Sequence, residues 1–451
     1  MLFNFIRYTQ PGWQFNLLPR QEHLSFASCY VSEENCPQNI IDERYETKSA
    51  QLADAGYRLW NKGVLLQANL QEINDLLQLP KPSLRDEYIF IRKYWGKAWT
   101  TFALMLRLFT FKNPFTEIFC YLKTRNVHKL NQFDSPFPYG DYDNFQSVII
   151  ASEPLVAVII PTLNRYEYLK EALHDLEKQS YKNFEVIIYD QSENFNESFY
   201  EQFSLNIKLH HQNEKLLWTA RNNAISSTDA AYLLFFDDDS SVNENWIFEH
   251  LKCMDYFAAG ISAGISIAAS GQKVSESYGY FRWADQFDSG NAMVHRSVFE
   301  KIGLFDEQFN GMRMGDGEFG FRAYINGIRS VSNPRASRLH LKVSTGGLRE
   351  MGSWDGFRPK KWFAPKPVPS VIYLFKKYFP DHLFRNAMLI GMMLSNIPYK
   401  YKRSSRMLFL SVVLTLVKSP LLFIQYHRSF FIANKMLKNS KYFMKIAMLS
   451  S

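Results

Sequence analysis

Residues 237 to 239 are three consecutive aspartates, and they follow directly on the apolar run "YLLFF" (232 to 236). Carboxylates this close repel one another and cost free energy unless a cation or hydrogen-bond donors offset the charge. A divalent metal ion is the first candidate, since a hard cation prefers carboxylate oxygens. Comparable junctions occur twice more: Asp190 closes "FEVIIYD", and Thr162 and Arg165 follow the run Val156 to Ile160. Each junction ends a predicted strand, so the acids belong to a rim rather than an interior.

Periodicity identifies the elements that must hold these groups. Val156 to Ile160 is continuously apolar and ends at Pro161, the pattern of a strand buried on both faces. Leu169, Ala172, Leu173 and Leu176 then recur with the spacing of an amphipathic helix. "FEVIIYD" predicts a second strand, "NIKLHH" a third, "LLWTARNNAISS" a helix and "YLLFF" a fourth strand. Strands alternating with helices give an α/β doubly wound sheet, and ligands collect beyond the carboxyl ends of its strands. Pro161 to Arg165, Asp190 and Asp237 to Asp239 can then converge on one crevice.

The formal charge of the 451-residue chain, +8, is the difference between two unlike parts. From residue 331 onward 21 Lys and Arg face three acids, a balance of +18 that leaves −10 for the remainder. A basic tail suits an anionic surface, nucleic acid or lipid headgroups, and since it also carries "MLFLSVVLTLV" and "LLFIQY" the membrane is favoured and no nucleic acid is expected as partner. Its best apolar run, 407 to 417, is cut by Lys418 and Pro420. A span needs about 20 apolar residues, so helices lying in the membrane interface are expected instead.

Residues 1 to 150 read as mostly helical. "QLADAGYRLWNKGVLLQANLQEINDLLQL" has helical spacing and "PKP" at 80 to 82 ends it. "WTTFALMLRLFTF" (99 to 111) is apolar enough for a core helix or a membrane-facing one. Four scattered cysteines, Cys29, Cys36, Cys120 and Cys253, make neither a disulfide framework nor a zinc site. The start "MLFNFIRYTQPGW" lacks the core of a signal peptide, so the protein is expected to stay on the cytosolic side. Three regions result: a mostly helical segment 1–150, an α/β domain 151–345 and a basic amphipathic helical region 346–451.

The ordered series "VAVIIPTLNR", "FEVIIYDQS", "ARNNAI", "LLFFDDD", "SGNAMVHRSVFEKIGLFDE" and "GDGEFGFR" resembles glycosyltransferase family 2, inverting enzymes with the A-type nucleotide-sugar-binding fold. The resemblance implies that Thr162 and Arg165 line the nucleotide pocket and that Asp190 accepts a hydrogen bond from the base. Arg221 and Asn222 match a pair near the nucleotide and diphosphate. Asp237 and Asp239 fit the Asp-x-Asp motif, the first near the ribose and the second on the metal, with Asp238 also counted on the nucleotide-sugar side. Gly290 and Asn291 match the loop opening the acceptor half, to which Glu318 also belongs. Asp316 takes the place of the catalytic base and His340 that of a histidine metal ligand. Gly315 departs from the family pattern, which commonly has glutamate before that base.

The same resemblance implies Mn2+ or Mg2+ as cofactor, a nucleotide sugar as donor, with UDP the first choice, and a glycan or lipid-linked acceptor. The setting would be surface polysaccharide or glycolipid synthesis, on the cytoplasmic face of the cell membrane, with peripheral attachment. Two other functions stand beside it: a nucleotidyltransferase, although "PTLNRYEYLK" lacks a Gly-rich basic loop, and an inactive membrane-bound scaffold. Plainer roles exist for single residues as well: Asp190 as a strand end or cap, Asp316 as a helix cap, Arg221 as the partner of a surface acid, and His340 as a structural histidine.

Overall fold

The structure, a computed structural model, describes residues 3–17, 40–66, 71, 75, 78–269, 274–285, 287–341, 343, 347–348, 356–359, 361–402 and 404–440. Contacts divide the chain into two units, residues 136–350 and residues 1–135 together with 351–451. The N-terminal and C-terminal regions, separate in the sequence reading, thus share one body.

The N-terminal part is helical, as expected: α1 (Lys48–Asn61), α2 (Leu84–Trp95), α3 (Lys97–Phe109) and α4 (Pro114–Lys123). Ser83 and Asp86 form a reciprocal capping box that starts α2. The helical spacing expected over 51–79 is interrupted after Asn61 by the turn at Lys62 and Gly63; residues 71, 75 and 78 are helical, and the rest of 67–77 lies outside the described residues.

Within residues 136–350 a short turn, α5 (Val148–Ala151), precedes the predicted series: β1 (Val156–Thr162), α6 (Tyr166–Glu177), β2 (Phe184–Asp190), β3 (Ile207–His211), α7 (Leu217–Ser226) and β4 (Tyr232–Phe236). The chain continues through β5 (Ser240–Val242), α8 (Trp246–Tyr256), β6 (Ile261–Ala268), β7 (Arg282–Trp283), β8 (Asn291–His295), α9 (Arg296–Ile302), α10 (Gly315–Ile325) and β9 (Ser330–His340). Sheet order is β3-β2-β1-β4-β8-β6-β9-β5, with β7 on β9. The first four strands pair in parallel, whereas β8 joins β4 and β6 antiparallel, so the sheet is mixed.

Every residue of β1 and β4 is buried, which is why both lack the polar alternation of a half-exposed strand. β1 runs two residues beyond the expected end at Ile160. Its ladder with β4 stops at Ile159, but pairing with β2 continues through Pro161 to Thr162, opposite Asp190. The core beneath joins Val158 and Ile160 of β1, Leu169 and Leu173 of α6, and Trp246 and Leu251 of α8.

The C-terminal helices are α11 (Pro369–Tyr378), α12 (Asp381–Leu394), α13 (Ser405–Val417) and α14 (Ser419–Asn439). α13 ends where Lys418 was expected to break it, and Pro420 falls on the first turn of α14. Among the described residues no single helix is long and apolar enough to cross a membrane, while α13 and α14 together pass that test but are bent by 78°.

Candidate active site

β4 and β1 end side by side, and the residues just past them meet. Asp238 accepts from Thr162 Oγ1 at 2.8 Å and from Arg165 Nη1 at 3.0 Å. Arg165 also lies 3.2 Å from Asp239. Asp237 accepts from Arg221 at 3.1 Å and from Arg338 at 2.7 Å. The antiparallel pairing of β5 with β9 sets Ser240 opposite His340, which brings the imidazole Nε2 3.3 Å from Asp239. Arginines therefore offset much of the repulsion that the triplet implies.

They do not offset all of it. Asp288 joins the cluster through a bidentate pair with Arg338, at 2.9 and 3.1 Å. Five carboxyls, counting Asp316 below, then share three guanidiniums, those of Arg165, Arg221 and Arg338. Burial pushes the Asp238 carboxyl up to about 6 against the pull of Arg165 and Thr162. Burial also opposes the charge on Asp239, yet the hydrogen bond and charge of His340, with Arg165, outweigh it and hold that carboxyl below the ordinary range. Ligand atoms of Asp237, Asp239 and His340 all lie within 4.8 Å of one another. Two carboxylates and an imidazole are a donor set that fits a divalent cation.

Asp316 sits on the first turn of α10. The Ser289 amide donates to its Oδ1 at 3.0 Å, and the Ser289 hydroxyl donates to the same oxygen. Ser289 also faces the acid cluster, because its carbonyl accepts from Arg221 at 2.8 Å. Burial, reinforced by the charge of Asp288, raises the Asp316 carboxyl above its ordinary range. Asp316 does not cap α10: Met314 occupies that position, in the left-handed region.

Two glycines owe their identity to this packing. A Cβ on Gly290 would lie 2.1 Å from the Asp237 carboxylate and 2.2 Å from Arg338, so the residue expected on the acceptor side abuts the acid cluster itself. A Cβ on Gly315 would lie 2.2 Å from the indole of Trp218. Trp218 packs 5.1 Å from the Arg221 guanidinium on α7 and takes the space beside Asp316, which gives a steric reason for the missing glutamate.

Four of the sequence candidates are engaged elsewhere. Asp190 is fully buried and accepts from Tyr166 and Tyr200 hydroxyls at 2.5 and 2.8 Å and from the Ser192 amide at 2.9 Å, so its oxygens hold the end of β2 rather than face a base. Asn222 spends its amide on Phe305 and Glu307, at 3.0 Å each. Asn291 is a core clamp: it donates to Ile265 and Ala336 carbonyls, across the register shift between β6 and β9, and accepts from Trp246 and His250. Glu318 pairs with Arg322 at 3.1 Å, both buried.

Sequence reasoning overlooked Arg338, Asp288, Ser289 and Trp218. A signal for Arg338 existed: it stands two residues before His340 on one strand, hence on the same face. A cation buried in a strand demands acids nearby.

Residues 157–319 match the model for glycosyl transferase family 2. That segment, about a third of the chain, is similar to glycosyl transferase family 2. Similar curated proteins include the O-antigen biosynthesis protein RfbC of Myxococcus xanthus, 25% identical over 287 residues, 54% of this chain and 21% of that protein. Glycosyltransferase GlyG of Streptococcus pneumoniae is 32% identical over 98 residues, 21% of this chain and 33% of that protein. The chain thus spans a third or less of the length of these two relatives. Among solved structures, Staphylococcus aureus TarS in complex with UDP-GlcNAc is 17% identical, with a TM-score of 0.42 over 59% of this chain and 78% of that one.

Proposed function

We infer that residues 136–350 form an A-type glycosyltransferase domain that moves a sugar from a nucleotide sugar to an acceptor hydroxyl, inverting the anomeric carbon. One observation carries this reading: the Asp237, Asp239 and His340 cluster is joined through Arg221 and Ser289 to a second, separately held carboxyl, Asp316. Bound to the first group, Mn2+ or Mg2+ supplies positive charge to the departing diphosphate.

The chain's own residues do the rest. Arg165 stands beside Asp238 and Asp239 and adds a cation where the donor's phosphates come to rest. Arg221 and Arg338 hold Asp237 in one orientation, and Gly290 leaves room for that arrangement. Ser289 fixes Oδ1 of Asp316, whose Oδ2 has no hydrogen bond among the described residues. That oxygen removes the proton from the acceptor hydroxyl, which attacks opposite the leaving diphosphate; the raised pKa of Asp316 brings it closer to working pH.

In this reading the donor is UDP-linked and the acceptor a membrane-linked glycan or lipid of surface polysaccharide or glycolipid synthesis, in line with the description of the Myxococcus relative. α13 and α14 attach the protein peripherally to the cytoplasmic face, where anionic lipids attract their lysines and arginines.

The test is a screen of labelled UDP-, GDP- and dTDP-sugars with Mn2+ or Mg2+, read by thermal shift and by release of nucleotide. At least one donor should stabilise the protein and be slowly hydrolysed, and both effects should vanish with chelator and in Asp239→Ala. A folded protein that neither binds nor cleaves any donor under any divalent cation refutes the assignment.

A further inference from the structure

Exposed apolar side chains on a soluble surface are ordinarily scattered singly. In the unit made of residues 1–135 and 351–451 two stretches carry most of them, with Trp362 and Phe363 exposed as well. The turn between α3 and α4 exposes Phe109, Phe111, Phe115 and Phe119, with Phe111 at 98% and Phe115 at 84% of full accessibility. α13 and α14 expose Phe409, Val417, Phe423 and Phe431.

Along the two stretches of chain that carry these rings, exposed charge is of one sign. Between Gly96 and Asn131 the sole acid is Glu117. It is buried, paired with Arg107 and bonded by the Tyr88 hydroxyl at 2.7 Å. Exposed charge on that segment therefore comes from Lys97, Lys112, Lys123, Arg125 and Lys129. No acid follows Asp381 in the chain, and α13 and α14 expose Arg406, Lys418, Arg428, Lys435 and Lys438.

The two places belong to one packed body. Trp99 of α3 shares a core with Ile390 and Met393 of α12 and Leu408 of α13, and Phe102 and Val412 pack against it. The α3 segment, apolar enough from sequence for either a core or a membrane role, buries Trp99, Thr100, Ala103 and Leu104 and exposes Met105 and Phe109.

We propose that the α3–α4 turn is a second lipid-binding element, which docks with α13 and α14 onto an anionic bilayer. This rests on the peripheral attachment proposed for the C-terminal helices and adds a part of the chain far from them in sequence. Phenylalanines enter the boundary between headgroups and acyl chains while lysine and arginine stems reach phosphates. A second copy is the poorer occupant, because a twofold interface sets like patch against like and would oppose cation to cation.

The experiment is sedimentation of the full-length chain with vesicles of phosphatidylcholine, with and without about a third phosphatidylglycerol. Wild type should bind the anionic vesicles. Phe111→Asp with Phe115→Asp should weaken binding at least about tenfold, as should Phe423→Asp with Phe431→Asp. Unfolding midpoint and nucleotide-sugar hydrolysis in vesicle-free buffer should stay at wild-type values, since these rings touch neither core nor site. Full binding by the 111/115 variant, with loss only in the 423/431 variant, overturns this proposal and leaves the C-terminal attachment standing. Failure of wild type to bind either vesicle overturns both. A wild-type dimer that the 111/115 variant converts to monomer without change in vesicle binding also overturns it, in favour of a self-association surface.

Discussion

Two clusters of buried acids, one in each unit, look alike in composition and differ in balance. In the first unit Lys93 donates to Asp42 at 2.7 Å and to Asp54, Arg44 completes Asp42, and the hydroxyls of Tyr45 and Tyr94 each reach Asp54 at 2.8 Å. Two carboxylates meet two cations. Burial works against the charge on Asp42, but Arg44 and Lys93 overcome it and hold its carboxyl far below the ordinary range. In the second unit five carboxyls share three guanidiniums, Asp238 and Asp316 are pushed up, and glycines keep space beside Asp237 and Asp316. Buried acid alone therefore does not mark a site. Surplus negative charge with clearance does, because it leaves something for a cation and a diphosphate to complete.

The comparison breaks most sharply at Asp316. Asp316→Asn should lower transfer about 10³-fold, within the range of general-base catalysis, while donor binding by thermal shift is retained; undiminished turnover removes Asp316 from the mechanism. Lys93→Met tests the other cluster. Leaving Asp42 and Asp54 buried without their shared cation should cost about 3–5 kcal/mol of stability by urea unfolding, with turnover per folded molecule unaltered. A loss of turnover without a loss of stability would erase the distinction between the clusters.

A third prediction concerns pH. Burial lowers His250 to about 4, against the upward pull of its hydrogen bonds with Asn291 and Ser262. A depressed folded-state value means that the stability is present above about 6.5 and is lost as pH falls through about 4. The loss is on the order of 3 kcal/mol, and it should be absent from the difference between wild type and His250→Gln if another group is responsible for the acid sensitivity of this unit. The smallest effect is expected at Gly290→Ala, where a methyl group presses on Asp237 and Arg338: about tenfold in turnover with the fold intact. An unchanged rate there would mean that the acid cluster tolerates movement.

Much of the sheet was legible because its central strands are buried on both faces and read as unbroken apolar runs. β1, β2, β3 and β4 and the helices between them fall where periodicity placed them. The acids at their ends were legible as strand ends, but not as buried groups: Asp190, Asp238 and Asp239 are buried rather than on an open rim. Less legible was α1, where helical spacing continued past a turn that the chain makes at Lys62 and Gly63. Asn222, Asn291 and Glu318 misled because polar residues near a site motif look alike whether they face a ligand or bind backbone in the core.

Sequence by itself determined the first four strands, the residues that end them and the cationic character of the tail, since these follow from local period and charge. Only tertiary structure decided which partner each acid took. Arg338 and His340 reach the Asp237 to Asp239 triplet because β9 runs antiparallel to β5, and Trp218 meets Gly315 because α7 packs beside α10. Such pairings join residues far apart in the chain, and their energies depend on burial and distance, neither of which a single sequence encodes locally.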